Sequence, residues 1–128
     1  MLKKIPVHEI KQNGRSPLYF AQDFEINTKR FFYVLNMKKN EVRGAHAHKK
    51  TSQLIWVISG AMTIEAKDRS GKVIFFDKLD KNSNAILFNP FIWLDIKSIK
   101  NGTSFFCLTD KNYSEKDYIR NFKDFLKV

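Results

Sequence analysis

Cysteine and long apolar runs are scarce in this 128-residue sequence. Its single cysteine, Cys107, rules out an intrachain disulfide and lies in the apolar run 105–108, which predicts a buried structural thiol rather than a nucleophile. No apolar run approaches the roughly 20 residues that cross a membrane, and residues 1–6 lack the apolar region of a signal peptide. We therefore expect a soluble cytoplasmic protein with no membrane partner.

Basic residues outnumber acidic ones, 23 lysines and arginines against 13 aspartates and glutamates, for a formal net charge of +10. The lysines are spread along the chain, and no basic block reaches the length of a nucleic-acid arm. This pattern favours a solvated, lysine-rich surface and no nucleic-acid partner. The positive field would still attract a small phosphorylated substrate.

Hydrophobic residues make up 43% of the chain, including twelve phenylalanines, which is typical of a packed globular protein. At this length we expect one domain over residues 1–128. Short runs rich in aromatic and β-branched residues alternate with turn signals, which predicts an all-β sandwich or barrel. The predicted strands cover residues 5–10, 18–20, 31–35, 54–58, 61–67, 73–76, 85–88, 91–96 and 104–109.

The C-terminal residues follow a different pattern. Ser114 and Asp117 have the spacing of a capping box, and apolar residues follow at helical spacing at Ile119, Phe122 and Phe125. We therefore predict one short C-terminal helix that begins near this box and docks on the β-strands.

The segment that contains His46 and His48 is the strongest candidate for a functional centre. Only three histidines occur in the chain, and these two lie one residue apart, shortly before the apolar run 54–58. Because side chains alternate between the two faces of a strand, both imidazoles would point the same way. Arg43 would share that face only if Gly44 marks a bend or a bulge.

A His-x-His pair on a strand is also the first half of the metal site in cupins, which are small double-stranded β-helix barrels. A metal-binding cupin adds a glutamate, where this chain has Gln53, and a third histidine, where residues 91–94 read Phe-Ile-Trp-Leu. Two imidazoles alone make a poor site for zinc or iron. We therefore expect no metal, and a metal-dependent cupin oxygenase or isomerase is the disfavoured alternative.

Without a metal, two interpretations of the histidine pair remain. The imidazoles are either satisfied by backbone and water in a polar barrel mouth, or they act as general acid and base, since imidazole titrates near neutral pH. In the catalytic interpretation Arg43 offers a fixed fork for a phosphate or an enolate oxygen. The phenol of Tyr33 would add a further group to the same cavity.

Four motifs that cover nearly the whole chain occur together. They are Arg30-x-x-Tyr33, Arg43-Gly44-x-His46-Ala47-His48-Lys49 with Gln53, Pro90-x-x-Trp93, and Tyr113-x-Glu115-x-Asp117-Tyr118-Ile119-Arg120. In this order and spacing the chain resembles the nucleoside-diphosphate-sugar 3,4-ketoisomerases, which are cupins with a jelly-roll barrel. It departs from them at Leu94, where the family often has a histidine, and at Arg15-Ser16, where the family usually has Arg-Gly.

The resemblance implies a substrate of the dTDP-4-keto-6-deoxyglucose type, isomerised without a cofactor to a dTDP-3-keto-6-deoxyhexose through an enediolate. His46 and His48 would share the proton transfers at carbon, Tyr33 would move protons at oxygen, and Arg43 would bind negative charge. The residues expected to bind the substrate are Arg15, Arg43, Lys49, Gln53 and Trp93. The resemblance also implies a homodimer that exchanges N-terminal strands, and a role in making a 3-acetamido-3,6-dideoxyhexose for surface glycans.

Two other functions would keep the same barrel. A non-catalytic cupin would bind the nucleotide sugar and exchange none of its protons. A nucleotide-sugar 3,5-epimerase would use similar proton chemistry but leave the ketone at C4. The motifs leave open the C4 configuration of the product, the nucleotide, and which histidine is the base.

Overall fold

The computed structural model describes residues 1–128, and strands make up nearly all of its regular structure. The exceptions are a 3₁₀ turn at Glu115–Asp117 and one short helix, α1 (Phe122–Phe125). No helix is long and apolar enough to span a membrane. The strands are β1 (Leu2–Ile5), β2 (His8–Ile10), β3 (Leu18–Phe20), β4 (Arg30–Met37), β5 (Val42–His48), β6 (Gln53–Ser59), β7 (Ala61–Lys67), β8 (Val73–Asp80), β9 (Ala85–Phe88), β10 (Trp93–Ser98), β11 (Thr103–Thr109) and β12 (Tyr118–Ile119).

Ten of the strands form two five-stranded sheets whose inner faces pack together. One sheet has the order β1-β9-β6-β11-β4 and the other the order β12-β5-β10-β7-β8, with antiparallel pairing throughout. The strands β2 and β3 form a separate hairpin. The prediction of an all-β sandwich or barrel is therefore confirmed.

The main core lies between the two sheets and is formed by side chains that alternate inward along each strand. Met62, Ile64 and Ala66 of β7 are fully buried in it, as their alternation predicted. Cys107 of β11 is fully buried in the same core, and burial raises the pKa of its thiol to about 12. The thiol is therefore protonated at neutral pH, and the prediction of a structural cysteine is confirmed.

Pro6 divides the strand predicted at residues 5–10 into β1 and β2. The strand β1 lies at the edge of its sheet and pairs only with β9, whereas β2 pairs with β3. Proline lacks the N–H group that would continue a ladder, which explains the break. Val7, just before β2, and Phe24, after β3, pack against Leu54 on the outer face of β6. These side chains border an apolar cavity of about 220 Å³.

The C-terminal helix begins later than predicted. Ser114 makes no side-chain capping hydrogen bond, so the capping box predicted at Ser114 and Asp117 is wrong. The chain forms the 3₁₀ turn and then β12, which pairs with β5, and α1 follows Asn121, whose side chain accepts a hydrogen bond from the Asp124 N–H. The Asp117 carboxylate is not available as a cap because it accepts hydrogen bonds from the end of β5 and the turn after it.

The helix α1 docks on the outer face of the second sheet, which confirms the predicted docking. Its Phe125 is fully buried against Trp93, with the ring centroids 5.7 Å apart, in a small cluster that includes Ala47 and Ile119. This cluster holds the C-terminal segment, and with it the 3₁₀ turn, against β5 and β10.

Phe125→Ala should destabilise the protein by about 3–5 kcal/mol, because it leaves a cavity between α1 and β10. Leu126→Ala is the matched control, since Leu126 is the next residue but is 42% exposed; it should change the free energy of unfolding by less than about 1 kcal/mol. Urea unfolding of both variants measures the difference. Equal losses in the two variants would contradict the role assigned to Phe125.

Candidate active site

The candidate site is built around a β-bulge in β5. Gly44 and Ala45 both have positive φ, 86° and 56°, and the register with β10 shifts between Gly44 and His46, where Ala45 has no partner in β10. An extra residue in one strand changes which side chains share a face, and here it turns Arg43 and His46 to the same side. Arg43 was expected to share a strand face with the histidines only if Gly44 marked a bend or a bulge, and this bulge is present.

Arg43 and His46 line one small cavity of about 90 Å³ between the two sheets. Gln53 of β6, only 8% exposed, lines the same cavity. Most of the remaining wall is apolar: Phe32, Val34, Ile55, Leu94, Ile96 and Phe105. The structure thus brings three of the predicted site residues together. No group of three or more histidine, cysteine, aspartate or glutamate side chains is placed to hold a metal ion.

His48 lies beside His46 at the end of β5 and is 3% exposed. The two ring centroids are 5.1 Å apart and the rings are perpendicular. The ring of Tyr118 packs against both, with its centroid 4.9 Å from that of His46 and 4.4 Å from that of His48. Because β12 pairs with β5, the C-terminal segment supplies a wall for the imidazole pair.

Asp117 is bonded to the end of β5 and the residues after it. Its Oδ1 accepts a hydrogen bond from the Lys50 N–H at 2.6 Å, and its Oδ2 accepts from the Thr51 hydroxyl at 2.5 Å. The Nδ1 atom of His48 lies 2.8 Å from the same Oδ2. The backbone carbonyl of Asp117 accepts a further hydrogen bond from the Lys49 N–H at 2.9 Å.

Both imidazoles have Nδ1 next to an acceptor. The partner of His46 is the carbonyl oxygen of Gly44 at 3.0 Å, and that of His48 is the Asp117 carboxylate. Carbonyl and ionised carboxylate oxygens only accept, so Nδ1 carries the proton and Nε2 keeps its lone pair in both neutral rings. Neither Nε2 atom is hydrogen-bonded to the protein. Because every fully buried side-chain nitrogen has a hydrogen-bond partner, both Nε2 atoms must be accessible to solvent.

Burial lowers the pKa of both histidines below its ordinary value. The Gly44 carbonyl partly offsets this effect for His46, and the Asp117 carboxylate partly offsets it for His48. Both rings are therefore mainly neutral at pH 7 and present a basic nitrogen. Such a pair can take a proton from one atom of a bound molecule and return one to another.

A network of charged and aromatic side chains borders the imidazole pair. Arg120 donates to the Glu115 carboxylate through Nε at 2.5 Å and Nη2 at 3.0 Å, and the Tyr113 hydroxyl donates to it at 2.6 Å. These bonds lower the pKa of Glu115 to about 2. The Arg120 guanidinium lies 4.3 Å from the centroid of the Tyr118 ring, and that of Arg30 lies 5.8 Å from the Tyr113 ring. The network therefore links the C-terminal segment to β4.

Tyr33 does not line the cavity. It lies on the outer face of β4, 53% exposed, with its ring stacked 6.0 Å from that of Phe106. Side chains alternate along β4, so the preceding residue, Phe32, lines the cavity instead. Within one chain the structure does not bring the Tyr33 phenol to the histidines.

Three predicted substrate-binding residues also lie outside the cavity. Trp93 is 5% exposed beneath α1, and its indole nitrogen donates to the Asp95 carboxylate at 3.1 Å. Arg15 is exposed in the turn between β2 and β3. Lys49 lines an open groove of about 400 Å³ that Asp117 also borders. Four more lysines line this groove: Lys29, Lys50, Lys111 and Lys116.

No role in the site was predicted for Asp117, Thr51 or Tyr118, although Asp117 and Tyr118 contact the histidines and Thr51 bonds to Asp117. The local spacing around Asp117 indicated a helix cap, and no local pattern indicates a partner 69 residues away. The one available signal was the polar and aromatic motif at residues 113–120, which neither a helix nor a strand requires.

The family model described as "FdtA: WxcM-like, C-terminal" matches residues 1–128. This chain belongs to that family. It is 28% identical over 106 residues to the TDP-4-oxo-6-deoxy-alpha-D-glucose-3,4-oxoisomerase of Aneurinibacillus thermoaerophilus. The matched residues cover 83% of this chain and 75% of that protein.

Two solved structures of 3,4-ketoisomerases resemble this FdtA-family chain over nearly its whole length. WlaRB of Campylobacter jejuni, a TDP-quinovose 3,4-ketoisomerase, is 27% identical with a TM-score of 0.80, covering 99% of this chain and 98% of that one. QdtA of Thermoanaerobacterium thermosaccharolyticum, solved in complex with TDP, is 23% identical with a TM-score of 0.82, covering 98% and 92%. The predicted cupin fold and membership of the 3,4-ketoisomerases, a class of isomerase, are confirmed.

Gly44→Ala should destabilise the protein and displace His46. A Cβ at this position would lie 2.7 Å from the carbonyl oxygen of Leu94, and φ is +86°. We expect a loss of about 1–3 kcal/mol in urea unfolding, together with shifted NMR signals of His46. Ala45→Gly is the matched control, because glycine is unstrained at the φ of 56° that Ala45 adopts. A Gly44→Ala variant as stable as the Ala45→Gly variant would contradict this account of the bulge.

Proposed function

We propose that this chain is a dTDP-sugar 3,4-ketoisomerase that converts dTDP-4-keto-6-deoxyglucose to a dTDP-3-keto-6-deoxyhexose. The proposal rests on the imidazole pair, whose Nε2 atoms are basic and unpaired, and on Arg43, which lines one cavity with His46. The names of the relatives support the substrate class, since each is a 3,4-isomerase of a TDP-linked sugar.

The reaction moves a carbonyl group from C4 to C3 by proton transfers. The ketone at C4 acidifies the proton on C3, so an imidazole Nε2 removes that proton and leaves an enediolate. Return of a proton to C4, with transfer of the hydroxyl proton from O3 to O4, leaves the ketone at C3 and a hydroxyl group at C4. One carbon is oxidised as its neighbour is reduced, so the two changes balance within the sugar.

Arg43 is the group proposed to stabilise the enediolate oxygens. Its guanidinium is always charged and presents a planar set of donors, which suits a developing oxyanion. The amide of Gln53 adds a hydrogen-bonding group to the same cavity. Lys49 and the lysines of its groove are proposed to attract the diphosphate, whereas Trp93 contributes to the site through packing beneath α1.

Proton NMR in D₂O with dTDP-4-keto-6-deoxyglucose tests the function. We expect a new 3-keto sugar that carries deuterium at C4.

His48→Asn should lower turnover by at least about 10²-fold, because asparagine offers no basic nitrogen. Tyr33→Phe is the control, and it should keep turnover because the phenol lies on the outer face of β4.

Two results would contradict the proposal. Exchange of sugar protons while the ketone stays at C4 would indicate a 3,5-epimerase. Tight binding of the nucleotide sugar without any exchange would indicate a non-catalytic binding protein. Full turnover by a folded His48→Asn variant would leave the reaction in place but remove His48 from it.

The resemblance to the ketoisomerases alone supports two further proposals about the role of the enzyme. The 3-keto product would be a substrate for an aminotransferase and then an acetyltransferase, giving a 3-acetamido-3,6-dideoxyhexose for a surface glycan such as an O-antigen or a lipooligosaccharide. The enzyme would carry out its step in the cytoplasm.

A homodimer is proposed from the outer face of the first sheet and from the size of the cavity. Phe31, Tyr33 and Leu35 of β4 are each more than half exposed on this face, and the β2–β3 hairpin is hydrogen-bonded to neither large sheet. The cavity of about 90 Å³ is also smaller than the roughly 300–1,000 Å³ of a ligand site. A second chain that exchanges its N-terminal strands would cover the face and add walls to the site, with Arg15 as a candidate ligand of the diphosphate.

Light scattering coupled to size-exclusion chromatography measures the oligomeric state. We expect twice the chain mass of 15.1 kDa for the wild type and a shift toward the monomer for Phe31→Asp, because a charge would be buried in the interface. Val42→Asp is the matched control, since Val42 and Phe31 are both 61% exposed but Val42 belongs to the other sheet. A monomeric wild type would refute the dimer.

A further inference from the structure

Asparagine is followed directly by glycine at two places in the chain, Asn13-Gly14 and Asn101-Gly102. This dipeptide loses its side-chain amide readily, because glycine has no side chain to shield its backbone nitrogen from the neighbouring carboxamide. The reaction needs a free backbone N–H after the asparagine and a carboxamide that can rotate toward it. By sequence the two sites are equivalent, and only the tertiary structure distinguishes them.

The Asn101 site is held by hydrogen bonds to three other segments. Its carboxamide oxygen accepts from the Lys39 N–H at 2.9 Å. The Gly102 N–H, which would have to attack, donates to the Met37 carbonyl at 2.9 Å. The Gly102 carbonyl accepts a further bond from the Ser59 hydroxyl at 2.9 Å. Both reacting groups are therefore engaged as long as the sheets are folded.

The Asn13 site, in the turn between β2 and β3, has none of these restraints. Neither the Asn13 carboxamide nor the Gly14 N–H is hydrogen-bonded within the protein. Apart from its chain neighbours, no atom lies within 4 Å of the place that a Cβ on Gly14 would take. The turn is closed by one backbone bond, from the Arg15 N–H to the Gln12 carbonyl at 3.1 Å.

The surroundings of this turn also leave it free to change shape. Residues 11–17 are all exposed, and the hairpin that they close has only three residue pairs. Loops of this kind open locally at little cost, because few contacts must be broken. The Asn13 turn can therefore reach the geometry that the reaction needs while both five-stranded sheets stay intact.

We propose that Asn13 is a site of spontaneous deamidation in the folded protein, and that the fold protects Asn101. The backbone nitrogen of Gly14 bonds to Cγ of Asn13, the Cγ–Nδ2 bond breaks, and Nδ2 leaves as ammonia with the proton of the Gly14 N–H. Water then opens the succinimide ring at one of its two carbonyl carbons, which leaves aspartate or isoaspartate. Nothing is oxidised or reduced, and water is the only co-reactant.

The modification changes both the charge and the backbone of the turn. A carboxylate replaces a neutral amide two residues before Arg15, so the open pocket that Arg15 lines with Lys11 becomes less positive. Isoaspartate also adds a methylene group to the main chain, and this alters the spacing that the bond between Gln12 and Arg15 requires.

Peptide mapping of the full chain by mass spectrometry tests this inference. The folded protein is incubated at mildly alkaline pH, because the attacking amide nitrogen must lose its proton. A protease that cuts after lysine then releases residues 12–29 and 101–111 as separate peptides. We expect the first peptide to deamidate at least about tenfold faster than the second, since the bonds that hold Asn101 must break before it reacts.

The same incubation in urea is the matched control. Glycine follows both asparagines, so the two peptides should deamidate at similar rates once the chain is unfolded. Asn13→Gln is the control variant, because the longer side chain closes a ring with the next nitrogen far more slowly. It should keep the wild-type stability, since Asn13 is exposed and unbonded, and it should lose the rapid modification of the peptide 12–29.

Equal rates at Asn13 and Asn101 in the folded protein would overturn the inference, since the bonds to Lys39 and Met37 would then give no protection. An Asn13 that stays intact in the folded protein, over a time in which urea allows its modification, would overturn it as well. Such a result would mean that the turn is held or covered in solution. These measurements need no substrate, so they stand apart from any test of the isomerase reaction.

Discussion

The contact between His48 and Asp117 joins two parts of the chain that lie 69 residues apart, and the geometry of the site depends on it. The hydrophobic cluster of Trp93, Ile119 and Phe125 supplies the burial that holds the C-terminal segment on β5. Burial is non-directional, however, and does not set the angle at which a ring is held. The hydrogen bonds to the Asp117 carboxylate are directional, so they align the imidazole.

The second constraint is the bulge in β5, which acts on the other histidine. Two successive residues with positive φ, Gly44 and Ala45, turn the strand so that Arg43 and His46 share the cavity. The same bulge presents the Gly44 carbonyl to Nδ1 of His46. The ring of His46 is thus oriented by its own strand, and the ring of His48 by the C-terminal segment. The two adjacent imidazoles therefore have different electrostatic surroundings.

Much of the fold could be predicted because short strands carry their own signals. The strands Leu18–Phe20, Ala61–Lys67 and Ala85–Phe88 begin and end where their composition and flanking turns predicted. The histidine pair, the bulge at Gly44 and the cavity-lining Gln53 could also be predicted, since each follows from spacing or from a shared motif. The placement of Tyr33 could not, because one residue of offset along β4 decides which face a side chain takes.

The sequence by itself determined the all-β class, the shared face of His46 and His48, and the resemblance to the ketoisomerases, because period-2 alternation and motif spacing are local properties. Only the tertiary structure decided the partner of Asp117. Its spacing from Ser114 is that of a helix cap, but the end of β5 offers it three donors instead of one. The local capping box does not form, because the long-range contacts of Asp117 satisfy more buried polar groups than a helix cap would. Those contacts exist only after the sheets have assembled.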